Sequence, residues 1–161
     1  MTKIPFSAEE TLKIAIEIEK NGREFYEGML EETEDDEIRE VFSDLANQEV
    51  KHRETFEEML GDAETEEGPD LNELLYGGLE DSYLSALADS KVFTPANENI
   101  KEAKTVNNRD ELLSIAISLE KDTILYYYEI LQNAKNSDDQ DLIMDVIDEE
   151  KSHVKRLAGL F

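Results

Sequence analysis

Residues 12–32 and 113–133 match at eight positions without a gap, among them Ile14, Ala15, Ile16, Glu19, Lys20 and Tyr26 against Ile115, Ala116, Ile117, Glu120, Lys121 and Tyr127. The chain repeats itself at a shift of 101 residues (19 to 120, 26 to 127), and self-similarity at a fixed offset marks a structural unit used twice. Periodicity says what that unit is. Leu12, Ala15, Ile16, Glu19, Tyr26 and Leu30 share one face at helical spacing, as do Leu113, Ala116, Ile117, Glu120, Ile124, Tyr127 and Leu131 in the second copy.

Each copy continues into a second stripe. Ile38, Phe42, Leu45, Glu49, His52, Phe56 and Met59 form one, and Ile143, Val146, Glu150, His153, Leu157 and Leu160 the other. Helix starts are marked by Ser7 with Glu10, Asp35 or Asp36, Asn108 with Glu111, and Ser137 with Gln140, and Gly61 marks a stop. Helix 1 is expected over about 8–32. The connections inside each copy are short, so each copy is an antiparallel hairpin, the first over about 8–60 and the second over about 109–160. Between them lies a crossover of about 61–108, too long for a plain loop in a compact domain. Part of it is expected to be helical, over 70–75 and 79–88, with Val92 and Phe93 as an apolar anchor and Pro95 ending the segment. Strand signals are absent. The expectation is a single all-α domain over 1–161, an antiparallel four-helix bundle whose one long crossover between helices 2 and 3 gives ferritin-like connectivity.

The two histidines of the chain, His52 and His153, each follow a glutamate by three residues, Glu49 and Glu150, and each has another glutamate upstream, Glu19 and Glu120. All six obey the 101-residue shift (19 to 120, 49 to 150, 52 to 153). Residues three apart on a helix lie on one face, so each Glu-x-x-His pair can chelate one centre. Each glutamate interrupts an apolar stripe, and burying an unpaired carboxylate costs several kcal/mol. Two divalent cations would balance four carboxylates while two imidazoles complete the coordination, and oxygen-rich ligation with one nitrogen per metal suits iron or manganese. The competing reading pairs Glu19 and Glu49 with Arg23 and Arg53 at i to i+4. It fails in the second copy, where the equivalent positions are Ile124 and Val154.

Tyr26 and Tyr127 lie two turns after the lone glutamates, where a phenol can hydrogen-bond a ligating carboxylate or simply pack in the core. Tyr126 and Tyr128 are expected to pack against the crossover or a partner subunit. Glu17, Glu24 and Glu27 lie off the stripe and are read as solvated. Asp44 and Asp145, equivalent in the repeat, are read as surface positions, with steadying a histidine as the alternative.

The chain has no cysteine, which excludes thiolate zinc sites, iron–sulfur clusters and disulfides and suits a reducing cytoplasm. Forty-one acidic against sixteen basic residues give a net charge of −25, which repels nucleic acid and anionic lipid. No segment has the apolar length of a membrane span, and the first ten residues lack a signal-peptide pattern. A soluble, cytoplasmic protein with neither nucleic-acid nor membrane partners is expected.

In IEIEKNGREFY with QEVKH, and SLEKDTILYY with EEKSH, the chain resembles the rubrerythrin branch of the ferritin-like di-iron carboxylate proteins. The likeness covers both hairpins, about two thirds of the chain. It implies Glu19 and Glu120 as terminal ligands, Glu49 and Glu150 as bridging carboxylates, and His52 and His153 as one nitrogen ligand per metal, a pattern general to the class. Two departures stand out. Full-length rubrerythrins carry a rubredoxin-like domain, which the lack of cysteine rules out here, and they have an additional glutamate near the lone ligand of helix 3. Positions 117 and 123 are Ile117 and Thr123.

The functional expectation is a non-haem di-iron oxidoreductase reducing hydrogen peroxide, or less favourably dioxygen. Its two iron ions, or manganese in their place, would be re-reduced by a separate rubredoxin-type donor, as the resemblance implies. An iron-binding or ferroxidase protein is the alternative, with a dimanganese catalase or a metal-free interaction bundle behind it. Ile14, Ile18 and Ile130, assigned to faces opposite the site, suggest a homodimer.

Overall fold

The computed structural model describes residues 8–61, 101, 103, 108–134 and 136–161, and within them the chain forms four α-helices and no strand. α1 spans Ala8–Leu30, α2 Asp36–Leu60, α3 Arg109–Asn133 and α4 Ser137–Ala158. The expected start at Ser7 and the elements expected over 70–75, 79–88 and 92–95 lie outside the described residues.

The helix ends follow from local chemistry. Asp35, in extended conformation, accepts from the Ile38 amide at 3.1 Å and caps α2, with Asp36 and Glu37 in the first turn where the helix dipole favours negative charge. Gly61 ends α2 at φ 85°, a backbone conformation that disfavours any side chain, and its amide returns to the Glu57 and Glu58 carbonyls. Asn108 caps α3 by accepting from the Asp110 and Glu111 amides at 2.8 and 3.3 Å. At α4 the expected cap, Ser137, is displaced by one residue: Asn136 accepts from the Asp139 amide at 2.8 Å, and Gln140 bonds the Ala134 carbonyl instead of closing a box. Asn and Ser are near-equal caps, so adjacent candidates leave the boundary open by one.

Cross-hairpin hydrogen bonds fix the helix directions. Tyr26 on α1 bonds Glu120 on α3, and Tyr127 on α3 bonds Glu19 on α1, so numbering rises along one helix as it falls along the other. His52 and Gln48 on α2 meet Glu149 and His153 on α4 in the same reversed order. With α1–α2 and α3–α4 paired as hairpins, all neighbouring helices are antiparallel, and α2 and α3 run the same way. A connection between parallel α2 and α3 must traverse the length of the bundle, which accounts for the long interval between them. Arg109 at the start of α3 ties this arrangement at one end, donating to the Leu160 carbonyl at 2.7 Å and to the α2 cap Asp35.

Among the described residues the core has two apolar clusters. One gathers Leu12, Ile14, Ala15 and Ile18 with Phe56, Tyr126, Tyr127, Ile130, Ile143, Val146 and Ile147. The other gathers Phe25, Tyr26, Met29, Ile38, Phe42 and Leu45 with Ala103, Leu112, Leu113, Leu119 and Leu157. Along every helix the acidic and histidine positions fall between the two clusters, at mid-length of the bundle.

One expectation is corrected here. Ile14, Ile18 and Ile130 do not face outward: they are buried at 0, 2 and 5 % exposure and share one cluster. A helix with two helical neighbours buries more than the single stripe read from sequence, so these residues are already used within the chain and give no ground for a homodimer. Tyr126 also belongs to this cluster, while Tyr128 is half-buried with the Lys151 ammonium 5.2 Å above its ring. Among the described residues no helix is long and apolar enough to cross a membrane.

Candidate metal centre

Each helix contributes at its middle: Glu19 from α1, Glu49 and His52 from α2, Glu120 from α3, Glu150 and His153 from α4. All six are buried, the most exposed being Glu49 at 4 %. They converge as two overlapping sets, Glu19, Glu49, His52, Glu150 and Glu49, Glu120, Glu150, His153, each offering ligand atoms within 4.8 Å of one another.

The orientation of the two shared carboxylates is specific. Glu150 presents Oε1 to His52 Nδ1 at 3.1 Å and Oε2 to His153 Nδ1 at 2.9 Å. Glu49 presents Oε2 to His52 Nδ1 at 3.5 Å and Oε1 to His153 Nδ1 at 3.6 Å. Glu19 and Glu120 each approach one ring only, His52 at 3.6 Å and His153 at 3.4 Å. The rings stack at 5.5 Å with 20° between their planes, both with Nδ1 inward.

Among the described residues, Glu19 Oε2, Glu150 Oε2 and His153 Nδ1 are buried without a hydrogen-bond partner. Such groups cost about 1–3 kcal/mol each when left unsatisfied. His153 Nδ1 and Glu150 Oε2 are close yet not aligned to bond each other. Donor atoms that crowd a common point without bonding one another suit a cation between them, so the donor set fits two divalent ions.

Electrostatics give the same picture. Burial first, then the charges of Glu49 and Glu150, push the Glu19 and Glu120 carboxyls well above the ordinary range. Burial also pushes Glu49 and Glu150 up, but the neighbouring histidines, with Glu19 beside Glu49, outweigh it and hold both below the ordinary value. Burial disfavours charge on His52 and His153, yet the surrounding carboxylates prevail and raise both far above the usual imidazole range. Without metal, the arrangement therefore favours bound protons on Glu19, Glu120 and both imidazoles, which offsets the charge of Glu49 and Glu150.

Tyr26 and Tyr127 do reach carboxylates, but in exchange between hairpins, Tyr26 on Glu120 and Tyr127 on Glu19. Burial, then the nearby glutamates, raise both phenols well above 10.0, so they stay protonated donors. The salt-bridge alternative is not what forms: Arg23 sits 3.4 Å from Glu27 and Arg53 3.4 Å from Glu57, on outer faces.

Two features escaped the sequence reading, the partners of the outer histidine nitrogens and an opening to the centre. Gln48 and Glu149, each preceding a shared glutamate, contact the outer nitrogen of the opposite histidine: His153 Nε2 to Gln48 at 2.8 Å and His52 Nε2 to Glu149 at 2.6 Å. The repeat marked these positions, since QEVKH aligns with EEKSH. Asp44 is tied to Gln48 at 2.9 Å and to Arg156, so it does steady a histidine, at one remove. A small opening of about 20 Å³, continuous with solvent, reaches Glu49 and Glu120 between Ile18, Asn21, Gly22, Phe25 and Tyr26 on α1 and Leu119 and Thr123 on α3. Thr123, where the additional glutamate was sought, lies on its wall with its hydroxyl bonded to the Leu119 carbonyl at 2.9 Å.

An antiparallel bundle with one long crossover and this duplicated carboxylate–histidine centre defines the ferritin-like diiron-carboxylate class. The chain belongs to the rubrerythrin family, whose profile matches residues 10–161. A Thermotoga maritima protein described as ferritin-like diiron-carboxylate is similar in its crystal structure, with 31 % identity, TM-score 0.71, and 96 % of this chain and 94 % of that one covered. A hypothetical protein of Pyrococcus furiosus shares the fold at 21 % identity and TM-score 0.61, over 96 % of this chain and 87 % of that one. No curated protein matches. Membership of this family implies metal binding, and the centre described above is where the chain offers it.

Proposed function

We propose that the protein is a non-haem di-iron oxidoreductase that reduces hydrogen peroxide with electrons from a separate donor. The observation that carries this is the aim of Glu49 and Glu150, each turning one oxygen to each histidine, which would let both be shared between two metals. In this reading Glu19 with His52, and Glu120 with His153, complete the two coordination sets. The chemistry a ferrous pair supplies is two electrons at one place, enough with two protons to cleave one peroxide O–O bond into two waters.

The chain's own residues do the rest. Tyr26 and Tyr127 hold the terminal carboxylates in orientation from the opposite hairpin, and because they stay protonated they do so throughout the neutral range. The two apolar clusters exclude bulk water above and below the centre. The opening beside Gly22 and Thr123 admits a molecule of a few atoms. With no cysteine in the chain, an electron donor of the rubredoxin type would be a separate protein.

Elemental analysis of anaerobically reconstituted protein is expected to give two irons per chain. One equivalent of peroxide should then oxidise the ferrous protein to a species with new absorption in the near ultraviolet, and a reduced donor should reverse the change. Two bound irons that ignore peroxide would move the protein to iron handling. Oxygen release from peroxide without donor would indicate a dimanganese catalase, and absence of stoichiometric metal would overturn the reading.

A further inference from the structure

His52 and His153 are equivalent in the repeat, yet their outer nitrogens meet different chemistry. His52 Nε2 lies 2.6 Å from a carboxylate oxygen of Glu149, whereas His153 Nε2 lies 2.8 Å from an amide oxygen of Gln48. The amide cannot be turned round: Gln48 Nε2 donates to Asp44 at 2.9 Å, and Asp44 in turn accepts from Arg156. The Gln48 oxygen therefore faces the ring, and His153 Nε2 is the donor. Both rings are thus fixed with Nε2–H outward and Nδ1 toward the carboxylates. Gln48 and Glu149 are themselves related by the repeat (48 + 101 = 149), so the asymmetry is written at one pair of positions.

We propose that Glu149 and Gln48 make the two metal positions unequal, the set Glu19, Glu49, His52 and Glu150 being the tighter binder. The proposal rests on the di-metal reading above. A carboxylate that accepts the outer N–H of an imidazole pushes electron density to the other nitrogen and makes it a stronger donor, while a neutral amide does so less. Glu149 is 55 % exposed on its side chain, but the ring it holds is only 2 % exposed, so the bond forms against a buried group. Neither residue touches the metal: both are positioning residues acting through a histidine. The consequence extends to redox chemistry, since the better-donating set favours the higher oxidation state, so one iron of the pair would be oxidised more readily than its neighbour.

The test is titration of the metal-free full chain with Co(II), followed by visible absorption and by calorimetry, with no turnover involved. Wild type is expected to bind two ions in two resolved steps. Glu149→Gln gives both histidines an amide partner and should weaken the tighter step by about 10–100-fold while sparing the other, closing the gap. Gln48→Glu should act oppositely, strengthening the weaker step, and serves as the test if Glu149→Gln does not fold by circular dichroism. Steps that ignore both substitutions, or that both weaken equally in Glu149→Gln, would overturn the inequality. Two ions bound in a single step by wild type and both variants would overturn it while leaving the di-metal reading intact. No Co(II) bound by wild type would overturn both.

Discussion

Tyr127 on α3 donates its hydroxyl to Glu19 on α1, and Tyr26 on α1 returns the same bond to Glu120 on α3. Each hairpin thus holds a buried carboxylate of the other, which makes the centre a property of the assembled bundle. The phenols also pack, Tyr127 against Phe56 and Tyr26 against Phe42, at centroid distances of 5.1 and 5.0 Å.

Tyr127→Phe separates these two contributions, because it keeps the ring and removes the bond. Leaving a buried carboxyl oxygen without its donor is expected to cost about 1–3 kcal/mol. For a chain of this length that lowers Tm by about 2–12 °C. Metal affinity should fall by about 10–100-fold, since the carboxylate loses its orientation. Calorimetry on metal-free protein and a Co(II) titration read the two effects separately. A variant with wild-type affinity would reduce Tyr127 to a packing residue.

Chelation gives the second prediction. A ligand bound only by the folded state stabilises it by RT ln(1 + [L]/Kd), about 2.7 kcal/mol at a hundredfold excess over Kd. Removing metal with EDTA should therefore lower Tm by several degrees, and adding Fe(II) or Mn(II) anaerobically should restore it. Glu150→Ala, which deletes a carboxylate facing both histidines, should abolish this response altogether. Equal Tm with and without metal would argue for a bundle that needs none.

The repeat carried more of this centre than of the surrounding fold. The six residues at one shift, Glu19, Glu49, His52, Glu120, Glu150 and His153, come together in the structure, because polar side chains on buried helical faces have few partners but one another. What the stripes did not convey was face width: Ile14, Ile18 and Ile130 read as outward because one stripe per helix was assumed, whereas helices with two neighbours bury more. The exchange of tyrosines, and of Gln48 and Glu149, depends on which helices are adjacent. Periodicity along a single helix contains no such information.

The third prediction concerns pH. Glu19 and Glu120 are raised above 4.5 and His52 and His153 above 6.5 in the folded protein, so each binds its proton more tightly folded than unfolded. Their contribution is fully present below those unfolded values and is lost as pH rises toward the folded ones. Glu49 and Glu150 are lowered, so theirs is present above 4.5 and lost only on acidification. From pH 5 to 9 the raised groups alone decide the sign, and Tm of the metal-free protein should fall with rising pH. Metal requires the deprotonated ligands, so the gap between loaded and metal-free Tm should widen over the same range, and loading two ions near neutral pH should release protons. A metal-free Tm that rises through this range would contradict the proton-neutralised cluster, and calorimetric titrations in buffers of different ionisation enthalpy count the protons.

The last prediction turns on Gly22, which faces Glu49 at the opening. A Cβ placed there meets Glu49 Cδ at 3.5 Å and Cγ at 3.6 Å, ordinary contact that alanine tolerates. Alanine inside a helix is worth about 0.5–1 kcal/mol over glycine. Gly22→Ala should accordingly raise Tm by about 1–4 °C. Gly22→Leu has no such room: its side chain must displace Glu49 or fill the passage between α1 and α3. Oxidation of the ferrous protein by peroxide should then slow by about tenfold or more, equivalent to at least about 1.4 kcal/mol of barrier. Comparing hydrogen peroxide with tert-butyl hydroperoxide identifies the cause, since narrowing by alanine should penalise the bulkier oxidant more. If leucine leaves both oxidation rates unchanged at full metal occupancy, the oxidant reaches the centre by another route.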